Sequence, residues 1–344
     1  YGVAAEYVSD WFSTYHLQFG SNPVYFHWDI SSQDGSTTAV HLRGGVQCLT
    51  DGLRVHKMVS AYNKAQLEPC NIASRQGVIA RKINGRCSGA SDTSIGNTQQ
   101  SEAVFYGVAS TTARVPVSQM SDDHPLSDDF TVDAFASHRC TINIGKNIVA
   151  ALTGDDNFGM MRREYFEEQF GSHSNLERVF RGVYSNFGYT ITGRVSDDLW
   201  NHDYLSCLFY PSADGPMPGP KIGRTLSRAG WFLDNEDKQT VLSAALGRLN
   251  DCFHVPFLRD YFERVIYLCR KNRQTKLAGA PAAHSIHVTR RHEQDPDVWP
   301  FLFSRYGLTI QDLENFRTLL NKAQTLPVII SWDKLDYLVT VDDA

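Results

Sequence analysis

The run from Val24 to Trp28 is short, β-prone and mostly apolar, and it ends at Asp29. It predicts a buried strand that delivers an acid at its end. Residues 35 to 85 are mixed, punctuated by Gly44-Gly45 and Gly52. Thr93 to Val108 has few breakers beyond Gly96 and Gly107 and predicts a helix. Ile148 to Thr153 and Phe158 to Met161 are two apolar runs around Gly154-Asp155-Asp156-Asn157, a tight-turn sequence, so a β-hairpin is expected there. Leu176 to Phe187 has helical periodicity, with Ser174 or Asn175 as the expected N-cap and Gly188 just past the end.

Pro211, Pro216, Pro218 and Pro220 mark a Pro/Gly-rich connector. Beyond it the pattern turns helical. Lys238 to Phe253 reads as one helix, and Pro256 separates it from the next, Phe257 to Arg270. From Asp295 onward short helices and loops alternate. The fold class is therefore α+β over roughly the first 210 residues, followed by a mostly helical lobe.

Composition sharpens this picture in three ways. At 344 residues with 42% hydrophobic content, the chain can bury a sizeable core in one lobed unit or two smaller ones. No apolar run is long enough to cross a bilayer, and no secretory signal pattern opens the chain. The first residue is Tyr1 rather than Met, which is expected of a segment of a longer protein. The seven cysteines are scattered without a Cys-x-x-Cys pair, so they read as free thiols and not as a zinc ribbon. A formal net charge of −5 argues against a wholly basic nucleic-acid binder. Yet Lys221 to Arg291 holds 13 Lys/Arg against 6 Asp/Glu, a local stretch that could face nucleic acid.

Three short patterns carry candidate chemistry. Asp155-Asp156 sits at the predicted hairpin tip, where two adjacent acids repel each other until a divalent cation relieves them. Alone, this is an ordinary Asp-rich turn. Asp29, at a strand end with Asp34 five residues on, could bring a third carboxylate beside that tip. Three acids converging on two cations suit phosphoryl transfer, where a 3′-hydroxyl is activated and pyrophosphate leaves. The third pattern is Ser88-Gly89-Ala-Ser-Asp-Thr93-Ser-Ile-Gly-Asn97. Thr93 and Asn97 are one turn apart and share a helix face, where small polar groups can hydrogen-bond a ribose.

Together, Asp-x4-Asp at 29 and 34, Ser-Gly-x3-Thr-x3-Asn at 88 to 97, and Gly-Asp-Asp at 154 to 156 resemble motifs A, B and C of viral RNA-dependent RNA polymerases. The order matches, as do the gaps of about 60 residues. The resemblance implies a right-hand polymerase palm, an antiparallel sheet with flanking helices. Palm and partial fingers would occupy residues 1–210, the fingers lying roughly at 35–85, and a mostly helical thumb 211–344. It implies Asp29 and Asp155 as chief ligands of two Mg2+ or Mn2+ ions, with Asp156 assisting. It implies that Asp34 and Asn97, helped by Thr93, Ser88 and Gly89, read the incoming ribonucleotide. Its partners would be RNA template and product, ribonucleoside triphosphates, and an upstream fingers segment or other replicase proteins. Its location would be the host cytoplasm, in membrane-associated replication complexes.

Downstream the resemblance thins. The stretch Gly188 to Arg194 is similar to the end of motif D but has no Lys, which leaves Arg194 as the nearest basic group. Arginine hardly ever releases its proton, so a charge-stabilising role is expected of it. Tyr204 to Pro211 resembles motif E, a strand pair that would support the primer end, and Pro220 to Arg224 resembles the segment that follows it in nodavirus- and tombusvirus-like polymerases. The basic motif F of the fingers has no counterpart, since the 28 residues before Asp29 contain no Lys or Arg. Arg81, Lys82 and Arg86 could touch template or nucleotide, and Arg270 to Lys276 could touch the RNA backbone. A reverse transcriptase, or an RNA-binding scaffold that keeps the palm fold, are the competing readings.

Overall fold

The structure is a computed structural model that describes residues 5–20, 22–38, 40–44, 70–73, 77, 79–82, 93–112, 144–229, 238–271 and 294–343. In chain order its first elements are α1 (Ala5–Phe19), β1 (Val24–Ile30), the short α2 (Gln33–Ser36), β2 (Cys70–Ala73), β3 (Ile79–Lys82) and α3 (Thr93–Thr112). Next come β4 (Ile148–Thr153), β5 (Asp156–Met161), α4 (Arg163–Gln169), α5 (His173–Asn186), β6 (Ile191–Ser196), β7 (Asp203–Tyr204), β8 (Cys207–Tyr210) and β9 (Met217–Pro220). The helices α6 (Ile222–Arg228), α7 (Lys238–Cys252), α8 (Leu258–Arg270), α9 (Val298–Tyr306), α10 (Ile310–Lys322) and α11 (Leu335–Asp343) complete the chain. The fold is mixed α+β with antiparallel sheets, in two compact units: Phe19–Leu205, and Gly2–Gln18 with Ser206–Ala344. Among the described residues no helix is long and apolar enough to cross a membrane.

The first unit is built on a four-stranded sheet in the order β4-β5-β1-β6. Successive side chains of a strand point to opposite faces, so β1 sorts its residues into two sets. Val24, Phe26, Trp28 and Ile30 go to a buried core shared with Val104, Phe105 and Val108 of α3 and Leu176, Val179, Phe180 and Tyr184 of α5. Tyr25, His27 and Asp29 go to the other face. Aromatic rings fill the core: Trp28 lies 4.8 Å from Phe180 and 5.8 Å from Phe105, centroid to centroid. Its indole N–H donates to the Tyr184 hydroxyl at 2.7 Å, which satisfies a polar atom that burial would otherwise strand.

Several predicted boundaries move, each for a local reason. The β1 strand runs on to Ile30, whose side chain is fully buried and whose N–H reaches Asp155 O at 3.1 Å, so Asp29 lies within the strand. The N-cap of α5 is Ser172 and not Ser174 or Asn175, because its side chain accepts from Asn175 N. Gly188, just past that helix, takes φ 78, a left-handed conformation suited to glycine.

In the second unit β8 and β9 form an antiparallel pair, with Tyr210 opposite Met217 and Cys207 opposite Pro220. Half of the expected Pro-rich connector is thus a strand. Proline is tolerated there because β9 is an edge, where a missing N–H breaks no ladder. Phe12 of α1 packs on Phe209 at 5.6 Å, and Ser9 Oγ donates to Pro216 O, which ties the first helix to this hairpin. The helix predicted from Phe257 starts at Leu258, since Phe257 has φ 65 and turns its ring onto both Phe316 and Trp332. Buried Asp342 accepts from the Tyr306 hydroxyl and from Arg224 N, and fastens α11 to α9 and α6. A Cβ at Gly223 would meet the Leu338 backbone carbon at 2.3 Å, so only glycine permits that α6–α11 approach.

Candidate active site

Asp29, Asp155 and Asp156 lie at one end of the four-stranded sheet. In the ladder Asp29 stands directly opposite Asp156, two acids 127 residues apart in the chain. Gly154-Asp155 is the two-residue loop between Thr153 and its partner Asp156. Gly154 adopts φ 64 in the first loop position, where a type II′ turn calls for glycine. Asp156 and Asn157 therefore belong to β5 and not to the turn expected of them. Asp155 is exposed at the tip, and its backbone carbonyl accepts from Ile30 N.

This crowding has an electrostatic signature. Burial, then the charges of Asp155 and Asp203, hold the Asp29 carboxyl above the usual carboxylate range. Hard oxygen donors under like-charge repulsion are the chemistry that Mg2+ or Mn2+ relieves, so the donor set fits such an ion. Among the described residues no three His, Cys, Asp or Glu side chains already converge into a ready-made metal-binding group.

Beside the acids lies a polar network. The Asn97 amide donates to Asp34 Oδ1 at 2.7 Å, which joins α3 to the short α2. Asn97 is only 6% exposed, and its Oδ1 has no hydrogen-bond partner among the described residues. Thr93 begins the same helix one turn earlier. Gln33 donates to Asn97 O at 3.1 Å and to Ser101 Oγ at 3.2 Å. Ser101 donates to Gly154 O at 2.5 Å, and Gly154 N donates to Thr98 Oγ1 at 2.9 Å. Gln100 Oε1 accepts from Thr37 and from the Tyr189 hydroxyl. Sequence reasoning missed Gln33, Thr98, Gln100 and Ser101. The polar spacing 93, 97, 100, 101 on α3 was the available signal, since those positions share a helix face.

Arg194 lies elsewhere on this surface. It is exposed on edge strand β6, opposite His27, while Thr192 takes the place opposite Asp29. His27 Nδ1 meets His202 Nδ1 at 2.8 Å, and His27 Nε2 lies 3.6 Å from Asp203 Oδ1. Burial, then the nearby positive charges of His27 and Arg194, push His202 down to about 3 against the pull of Asp203, so it is neutral. Tyr204 shares a 2.5 Å hydrogen bond with Thr153 at the foot of the hairpin turn. Burial foremost, and the Asp156 charge with it, raise the Tyr204 phenol, although the Thr153 bond opposes the shift. His27, His202 and Asp203 were also missed, and Tyr204 was named only as the start of the segment similar to motif E. The alternation of β1, which puts His27 on the face of Asp29, was the one hint.

Ser88, Gly89 and Arg86 lie outside the described residues, as do 272–276 of the basic stretch and most of 35–85. Arg81 and Lys82 fall on β3. No family model matches this chain, and no curated protein matches it.

Proposed function

We propose that this chain is an RNA-dependent RNA polymerase of a positive-strand RNA virus, with palm and partial fingers over residues 1–210 and a mostly helical thumb over 211–344. The observation that carries the reading is the pairing of Asp29 with Asp156, next to Asp155 at the turn. Three short patterns spread over more than a hundred residues are similar to polymerase motifs, and two of them supply acids to one end of one sheet. The third supplies Asn97, bonded to Asp34.

In this reading Asp29 and Asp155 hold two divalent ions, with Asp156 assisting. When bound, the ions supply activation of the RNA 3′-hydroxyl and neutralise charge on the departing pyrophosphate. The bond formed joins the 3′-oxygen to the α-phosphorus of a ribonucleoside triphosphate; the bond broken is that to the pyrophosphate oxygen. Asp34 and Asn97 read the ribose 2′-hydroxyl, helped by Thr93, Ser88 and Gly89, and the Oδ1 of Asn97, without a hydrogen-bond partner among the described residues, is an acceptor suited to that hydroxyl. Arg194, beside His27 and His202, contributes positive charge and not a proton. Template and product RNA are the macromolecular partners, with a fingers segment or other replicase proteins completing the triphosphate grip. The setting is the host cytoplasm, in membrane-associated replication complexes.

The test is incorporation of labelled ribonucleotide on a primed RNA template. Asp155→Asn is expected to abolish it while circular dichroism stays that of the wild type, because a neutral amide binds a hard cation poorly. Full activity in that variant overturns the assignment. Preference for ribo- over deoxyribonucleotides separates this reading from a reverse transcriptase.

A further inference from the structure

Gly154 is the residue before Asp155, and both of its backbone groups are bound by side chains of one helix. Its N–H donates to Thr98 Oγ1 at 2.9 Å and its carbonyl accepts from Ser101 Oγ at 2.5 Å. Thr98 and Ser101 are three apart on α3 and so stand on one face. A hairpin loop ordinarily leaves such groups to solvent or to its own backbone; here a rigid helix takes both. The grip fixes the orientation of the loop that presents the Asp155 carboxylate.

Ser101 has a second attachment. Its oxygen accepts from Gln33 Nε2 at 3.2 Å while its hydrogen goes to Gly154, so its two roles are set. Gln33 is 2% exposed and adjoins Asp34, and it also donates to Asn97 O at 3.1 Å. A continuous hydrogen-bonded path therefore runs from the Asp34–Asn97 pair through Gln33 and Ser101 to Gly154 and the acid beside it.

We propose that Thr98 and Ser101 are positioning residues that hold the Asp155-bearing turn in register with Asp34 and Asn97, and so set the placement of the metal-binding carboxylates against the nucleotide. The inference rests on the polymerase reading of the same site. It differs from a role in packing because the groups held are the peptide atoms of the turn and not a side chain in the core.

The experiment compares full-length wild type with Ser101→Ala, Ser101→Thr and Thr98→Val, the last keeping the side chain's shape if the alanine variant fails to fold. Two quantities are read: turnover with its dependence on Mg2+, and Mg2+ binding by calorimetry without nucleotide. Losing a residue that orients a metal ligand costs about 10–100-fold in metal affinity or activity. The expected result is a fall in kcat and a rise in half-saturating Mg2+ of that order for Ser101→Ala and Thr98→Val. The KM for nucleotide changes little, and Ser101→Thr recovers most of the loss. Unchanged Mg2+ dependence in both variants, or an equal loss in Ser101→Thr, overturns the proposal. Should wild type incorporate no nucleotide, the polymerase reading fails by itself. Calorimetry then decides the clamp: weaker Mg2+ binding in the variants upholds it, and no difference from wild type overturns it.

Discussion

Asp29 shows what a site of this kind demands of a single residue. It pairs with Asp156 across the ladder, and burial together with the charges of Asp155 and Asp203 raises its pKa above the ordinary value of 3.8. A raised folded-state pKa means that the native protein keeps the proton longer than the unfolded chain does. The associated stability is complete below the unfolded value and is lost as pH rises through the folded one. At neutral pH the fold therefore carries a charge it would be more stable without. Asp29 is exposed enough for solvent to screen the repulsion, so Asp29→Asn is expected to raise the melting temperature at pH 7 by only about 1 °C while removing activity, and to make no difference near pH 3. Thermal melts at the two pH values check this; a lowered melting temperature at pH 7 speaks against the crowding of charge.

The residues named from the sequence at this scale were those whose type and spacing are themselves the signal: Asp29, Asp34, Asp155, Asp156 and Asn97. Thr98, Ser101, Gln33 and His202 were not legible. Their partners are backbone atoms or side chains at long range, 53 residues away for Ser101 and Gly154, and 175 for His27 and His202. No local pattern encodes such a partner.

Among the elements, β1 decides the most. One strand gives its odd positions to the polar face and its even positions to the helices, so that the site and the core share a backbone. Trp28 is the hinge of that arrangement, 3% exposed, stacked near Phe26 and Phe105 and bonded to Tyr184. Removal of a buried ring of this size costs about 3–5 kcal/mol. Trp28→Ala should lower denaturant-unfolding stability by that amount and reduce activity by displacing Asp29. Stability within about 1 kcal/mol of wild type is the contrary result. Strand, helix and hairpin types were readable from periodicity, since apolar runs and turn residues are local. Ends were less so. Ile30 joins its strand through Asp155, Ser172 caps a helix two or three residues before the expected Ser174 or Asn175, and Met217–Pro220 pairs despite two prolines.

At the scale of the whole molecule, the α+β character with a helical latter part was visible in the order of patterns along the chain. The membership of Gly2–Gln18 in the unit of Ser206–Ala344 was not, because it depends on Phe12 meeting Phe209 and Ser9 meeting Pro216 across some 200 residues. Charge also acts at this scale. The protein is net acidic, yet 13 of its 33 Lys and Arg fall within 221–291. Binding of single-stranded RNA should therefore depend steeply on salt, with affinity falling as a power of the salt concentration whose exponent is about 0.7 per phosphate contacted. A fluorescence-anisotropy titration across salt concentrations reads the slope, and a flat line contradicts an RNA-binding groove.

If acids from β1 and from the β4–β5 turn share divalent ions, a double-mutant cycle on Mn2+ affinity reads that sharing. Calorimetric titration of wild type, Asp29→Asn, Asp155→Asn and the double variant gives the coupling between the two carboxylates. Shared ions predict that each single variant loses most of the binding and that the double variant loses scarcely more. Full additivity of the two losses, or binding in both single variants equal to that of wild type, contradicts the claim.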